Sequence, residues 1–556
     1  MDPIIRTCSL SLATLALVLT PVVASARVDS VGSVEQYTLG RLADVAGADA
    51  KALQSYSAAL VADPASVPIA LRTYRQAVES GQKELALRAA RMLDTQKALP
   101  ADGRILLISE SFAKADWRGA ELQIDRLEES GTFAFLSPVL RAWMLFGSGR
   151  GDPLAALEVR SADGLSANFA QEHRGILLLA MKQPTEGIAA INALRSFGMA
   201  EARTVQLRLA GAARLMDIKN RAAALELLAG DDAILALARE EIAAGRPLLG
   251  AVSRPNTGVA MLLARLSSDL IRDNASPVAV TLSQLGQFAD ASYQPGKLVL
   301  ARAFAANRKA DAALAALDAL GQGRLIAALS QELRFDLLLD AERYDTVLDL
   351  AKARAGKADA TAYDVARLGE VLSRMKRHSD AAASYIRAID MIAGPDKSRP
   401  VPWNLWLLLG REYDLGNDWT RARPALERAV ALGPDEPSAL NHLGYAMLVN
   451  GGSVSEATRL IEKASQLRPG DAAISDSLGW ALFRGGQFDR AIQILEGAVA
   501  TDATVAEISE HLGDAYWAAG RRIDARYAWR AALVQADEGE AKRLTSKIDF
   551  GPDVKR

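Results

Sequence analysis

Residues 403–436 read WNLWLLLGREYDLGNDWTRARPALERAVALGPDE, and the reading of this stretch decides the fold. A Leu-Gly pair, Leu409-Gly410, is followed by Ala422, Ala429 and Pro434. The same pattern recurs outward in both directions. Leu-Gly pairs occur at Leu368-Gly369, Leu443-Gly444, Leu478-Gly479 and Leu512-Gly513, so successive pairs lie 41, 34, 35 and 34 residues apart. Each pair is followed by Ala381, Ala422, Ala457, Ala491 or Ala525, and seven residues later by Ala388, Ala429, Ala464, Ala498 or Ala532. Pro434 and Pro469 close two of the units.

The physical logic is that of two helices crossing closely. Gly and Ala stand where a larger side chain would hold the helices apart, and the closing Pro cannot continue a helix. Leu, Tyr and aromatic positions fill the space between neighbouring units. One such unit cannot bury its apolar faces alone, so units must stack.

With Trp406 and Tyr413 added, residues 403–436 carry Trp406, Leu409, Gly410, Tyr413, Ala422, Ala429 and Pro434 at the spacing of the tetratricopeptide repeat (TPR), which this stretch resembles. Leu426 departs from it where an aromatic is usual. Residues 506–539 match with Leu512, Gly513, Tyr516, Ala525, Trp529 and Ala532, and residues 437–471 hold one extra residue near Gly451-Gly452-Ser453. Residues 33–66 return to the register through Leu39, Gly40, Ala43, Ala52, Tyr56, Ala59 and Pro64. Between about 135 and 361 the side-chain pattern degenerates into helix pairs such as Ser137–Phe146 with Pro153–Val159, Phe169–Met181 with Thr185–Leu194, and Glu201–Met216 with Arg221–Leu228. The resemblance implies an all-α fold, a right-handed α-solenoid of antiparallel helix pairs. The expected organisation is a signal segment over 1–26, an N-terminal array over 33–160, a degenerate helical region over 161–325, a C-terminal array over 326–537, and a capping helix and tail over 538–556. Gly245–Gly258 reads as a Pro/Gly-rich loop or a bend between two arms, and Gly394–Pro402 as a loop insertion.

Met1–Ala26 reads as a secretory signal: Arg6, an apolar run from Leu10 to Leu19, then Ala24-Ser25-Ala26 as the cleavage motif before Arg27. Cleavage there removes Cys8, the chain's one cysteine, which suits a periplasmic or secreted protein. Beyond it no stretch is apolar and long enough to span a bilayer.

Composition narrows the functional classes. Of 556 residues 50% are hydrophobic but only 6% aromatic. Lys and Arg number 65 against 67 Asp and Glu, so there is no bulk basic charge for nucleic acid. One cysteine and four histidines leave little for a metal centre, and no phosphate-binding, nucleophile-elbow or zinc-protease motif is present. His378-Ser379-Asp380 brings three triad residue types together, but adjacent residues cannot face one another as a triad requires. No catalytic residue, cofactor or metal is therefore expected.

What remains is a groove. The resemblance implies that the first helix of each unit lines the concave surface, which puts Asn404, Arg411, Asn441, Tyr445, Asp476, Trp480, Phe483, Arg484, Asp514 and Trp517 on it. Six of eight tryptophans follow residue 400, and aromatic and Arg side chains dominate binding hot spots. The expected function is an exported adaptor or scaffold, not an enzyme, that binds a protein or peptide on that face. Alternatives are a scaffold of an envelope polysaccharide synthesis or export complex, and an uncatalogued all-α enzyme.

Overall fold

A computed structural model describes residues 21–158, 164–196, 201–321 and 323–552. The expected signal segment lies outside them up to residue 20, and the helix Pro21–Val45 runs through the expected cleavage position. The described residues are arranged as consecutive antiparallel helix pairs and form an all-α solenoid. They fall into two compact units, divided between Leu337 and Leu338.

The repeat is written in the backbone more completely than in the side chains. Between the two helices of a pair the chain reverses through one residue with positive φ. That residue is 47, 81, 115 and 149 in the first pairs, 274, 308, 342 and 376 further on, and 417, 451, 486 and 520 in the last. Within each run the spacing is 34 or 35 residues. Glycine fills the position at Gly47, Gly81, Gly149, Gly451, Gly486 and Gly520, but Ala115, Asn274, Arg308, Glu342, Lys376 and Asn417 fill it elsewhere. A side chain in this conformation costs roughly 1–2 kcal/mol, so tertiary packing imposes the turn where the local sequence does not favour it.

The small residues sit where the helices cross. A Cβ on Gly410 would lie 2.6 Å from Leu426, and one on Gly444 2.6 Å from Ile461 and 2.9 Å from the Ala457 carbonyl. Gly369 faces Tyr385 and Gly40 faces Tyr56 in the same way. The degenerate region keeps this contact, because Gly175 faces Ile191 and Gly211 faces Leu227, again 16 residues apart.

Two expectations change. Ser137–Ser148 is followed only by a short 3-10 turn, Ala155–Leu157, in place of the second helix expected over 153–159. Gly151 stands at φ 70° just before Pro153, and the expected end of that helix, Val159, lies outside the described residues. The stretch 245–258 is loop only to Arg254; a helix, Pro255–Arg272, starts inside it with proline in its first turn.

In the first unit the array does more than stack on its neighbours. Pro255–Arg272 and Ser276–Ala289 pack against Val67–Glu79, Ala101–Ala113 and Ser137–Ser148, the first helices of three early pairs. Gln284 Nε2 donates to the Glu79 carbonyl at 3.1 Å, and Lys83 Nζ to the Phe288 carbonyl at 2.7 Å. Asn256 Nδ2 reaches the Ser109 carbonyl at 3.0 Å, and Lys309 bridges Asp49 and Glu79. The side of these pairs that would line a groove is thus covered by the same chain.

Candidate functional site

The second unit carries the expected groove residues, on the first helices Trp403–Leu415, Pro437–Val449, Ala472–Arg484 and Ala506–Ala518. They fall into three groups.

Asp476, Trp480, Phe483 and Tyr445 are brought together by two residues that sequence reasoning did not select, Glu507 and His511. Trp480 is stacked between Phe483, 4.8 Å away between ring centroids, and His511, 4.2 Å away. Asp476, one turn before Trp480 on the same helix, meets His511 Nδ1 at 2.9 Å. Tyr445 Oη donates at 2.6 Å to Glu507, whose carboxylate also lies 3.9 Å from His511 Nε2. A chain of side chains therefore crosses three successive first helices. His511 is buried; burial alone would lower its pKa, but the Asp476 hydrogen bond and charge, with Glu507 and Asp514, raise it above the ordinary value. The surrounding carboxylates thus favour the imidazolium. Trp480 and Phe483 remain partly exposed, so the flat stack is reachable by a partner. Its signal in the sequence was His511 itself, at the position equivalent to His442 two units earlier.

Asn404 and Arg411 line a cavity of about 550 Å³ between Ala362–Arg374 and Trp403–Leu415, together with Arg367, Glu370, Arg374 and Tyr363. Arg367 pairs with Glu370 at 2.6 Å. Asn441, one unit on, has a buried Oδ1 without a hydrogen-bond partner among the described residues, and so does His442 Nε2. Burial and the Arg411 charge lower the His442 pKa to about 4, so this ring is neutral. Asp414 accepts from Asn450 Nδ2 at 3.0 Å.

Asp514 and Trp517 belong to the end of the array. Asp514 accepts from Trp529 Nε1 at 3.0 Å and pairs with Lys547 at 2.6 Å. Trp517 packs on Trp529 with centroids 5.5 Å apart, and Gly551 passes so close to its ring that a Cβ there would collide. The terminal helix Glu538–Phe550 covers both through Arg543–Glu510, Lys547–Glu510 and the buried Leu544. Arg484 is exposed, and donates one hydrogen bond of 3.2 Å to the Leu448 carbonyl.

No triad forms at His378-Ser379-Asp380. His378 Nδ1 meets Glu412 at 2.9 Å, and Asp380 pairs with Arg377. Among the described residues no group of three His, Cys, Asp or Glu converges as metal ligands would. No helix among them is long and apolar enough to cross a membrane.

With this geometry, the tetratricopeptide-repeat family model matches residues 407–472 and 477–541. The chain carries tetratricopeptide repeats. A TPR repeat-containing protein of Pseudomonas aeruginosa is 32% identical over 180 residues, which is 32% of this chain and 29% of that relative. The chain thus matches less than a third of that relative's length. Among solved structures, a thermophilic TPR protein of Thermus thermophilus is 22% identical, covering 34% of this chain and 98% of its own, with a TM-score of 0.29. PilW, a type IV pilus biogenesis factor, is 19% identical over 34% of this chain and 85% of its own, with a TM-score of 0.30. Stacked repeats of this kind build extended concave surfaces.

Proposed function

We propose that the second unit binds an extended segment of a partner protein along its first-helix face, and that the chain acts there as a non-catalytic adaptor. The observation that carries the reading is the Phe483–Trp480–His511 stack, a rigid and partly exposed aromatic platform with Asp476 and Glu507 at its edge. Such platforms concentrate binding energy, because large flat side chains lose little freedom on contact. The cavity at Asn404 and Arg411 supplies a second, charged contact on the same series of helices. Asp514 and Trp517 belong to the proposed groove only at its rim, since their main partners are Trp529 and the terminal helix. The signal-like residues 1–26 support export, and with it a periplasmic or secreted place of action.

The test is affinity capture from envelope extract with the full chain and with the Trp480→Ala variant. Loss of a hot-spot aromatic should weaken capture by roughly 2 kcal/mol or more, about thirtyfold. Capture unchanged by this substitution refutes the proposed site.

A further inference from the structure

The first unit contains a cavity that the adaptor role does not use. It measures about 340 Å³ and is walled by Glu201–Asp217, Pro255–Arg272, Gln294–Ala306 and Arg324–Asp340. Leu209, Met261, Leu298, Val299, Ile326 and Leu329 make its lining largely aliphatic. Leu209, Leu298, Ile326 and Leu329 are only partly buried, so apolar surface faces the cavity itself. Covering such surface is favourable by about 25 cal/mol per Å².

The polar groups of the lining are unequal. Arg203 and Arg265 are satisfied by Glu172 and Asp269, at 3.0–3.1 Å for Arg203 and 3.0 Å for Arg265 with Glu172. Arg302 has no ion-pair or hydrogen-bond partner among the described residues, although it lines the same cavity. Its side chain is exposed, which places it at the mouth. The surrounding protein mass still partly desolvates its guanidinium and lowers its pKa, and the lining's carboxylate, Asp232, is engaged by the Ile234 and Leu235 backbone N–H groups. Tyr293, just before the start of the same helix, is buried and lines the same cavity. The two residues are nine positions apart, ~13 Å along a helix. The lining thus offers an aliphatic wall with one uncompensated cation at its mouth, and such a cation favours an opposite charge beside it.

We infer that this cavity is a binding site for a single-chain anionic amphiphile, its tail along Leu209, Leu298 and Ile326 and its head group on Arg302. The volume is at the small end of ligand pockets, which suits one short acyl chain and not a two-chain lipid.

Isothermal titration of the full chain with decanoate, and separately with uncharged 1-decanol, both below their aggregation limits, tests this. The expected result is saturable binding of one decanoate per chain, tighter than 1-decanol. Arg302→Gln should weaken decanoate about tenfold, as for loss of one charge-assisted hydrogen bond, and leave 1-decanol unchanged. Leu298→Trp should fill the cavity and abolish both. Ile326→Trp is a second filling variant should the first unfold, with circular dichroism reporting the fold of each. Absence of saturable decanoate binding, binding that survives filling, or equal affinity for decanoate and 1-decanol with no effect of Arg302→Gln would each overturn the inference.

Discussion

Gly444 and Gly497 are both helical, yet they stand in opposite surroundings. A methyl group on Gly444 would meet Ile461 and the Ala457 carbonyl, and the carbonyl cannot rotate away. Gly497 faces open space. Gly444→Ala should therefore destabilise the chain by about 2 kcal/mol through overpacking, whereas Gly497→Ala should stabilise it by roughly 0.5–1 kcal/mol through helix propensity. Denaturant titration of the two variants reads both signs. The histidines also act with opposite sign. His511, whose pKa is raised against Asp476, adds stability that is complete below its unfolded value of about 6.5 and is lost as pH rises through the folded value. His442 and His173, lowered to about 4 and about 3, add stability above about pH 6.5 that is lost as pH falls towards those values. His173 cannot take its proton easily, because Nδ1 accepts from Trp143 Nε1 at 3.0 Å inside the core. Melting temperature against pH should lose its alkaline-side decline in His511→Gln. An unchanged profile would mean that the Asp476 contact contributes nothing.

At the scale of elements, the terminal helix shows how charge fastens an array's end. Asp537 and Glu540 form a capping box, and Lys547 lies between the largely buried carboxylates of Glu510 and Asp514. Lys547→Ala leaves two buried anions short of a partner, although Arg543 still serves Glu510, and should cost about 1–3 kcal/mol. Lys542→Ala breaks only the exposed pair with Glu538 and should change stability by less than about 0.5 kcal/mol. Equal effects in thermal melts would contradict this account of the cap. The helix itself was legible in the sequence, since a polar periodic segment following the last unit has one role open to it. The helix pairs from residue 403 onward were legible too, because Gly410, Gly444, Gly479 and Gly513 are spelled at fixed intervals. The turns through 274–376 were not marked by glycine, because they are filled by Asn274, Arg308, Glu342 and Lys376, of which only Asn favours positive φ. Gly175 and Gly211 did carry a signal, each 16 residues before its contact in the partner helix.

On the scale of the molecule, two units use one repeat differently. In the first, Pro255–Arg272 and Ser276–Ala289 cover the first helices of the early pairs, a contact between segments some 200 residues apart. No local pattern encodes such pairing: Gln284 and Lys83 are ordinary surface residues until the chain returns to meet them. In the second unit the first-helix face keeps Trp480 and Phe483 accessible. Here the aromatics lie on one series of helices, and the sequence could not show that His511 and Glu507 join Trp480 and Tyr445. Those partners come from a neighbouring unit, and their chemistry emerges only when the units stack. The central claim is that a partner lies on this face. It is tested most directly by placing a photo-crosslinking amino acid at Phe483, and separately at Arg490 on the exposed second helix Phe488–Thr501. The account predicts a crosslinked partner from position 483 that is lost when Trp480→Ala is added, and none from position 490. The same partner crosslinked equally from both positions, or retained from 483 without the Trp480 ring, would contradict it.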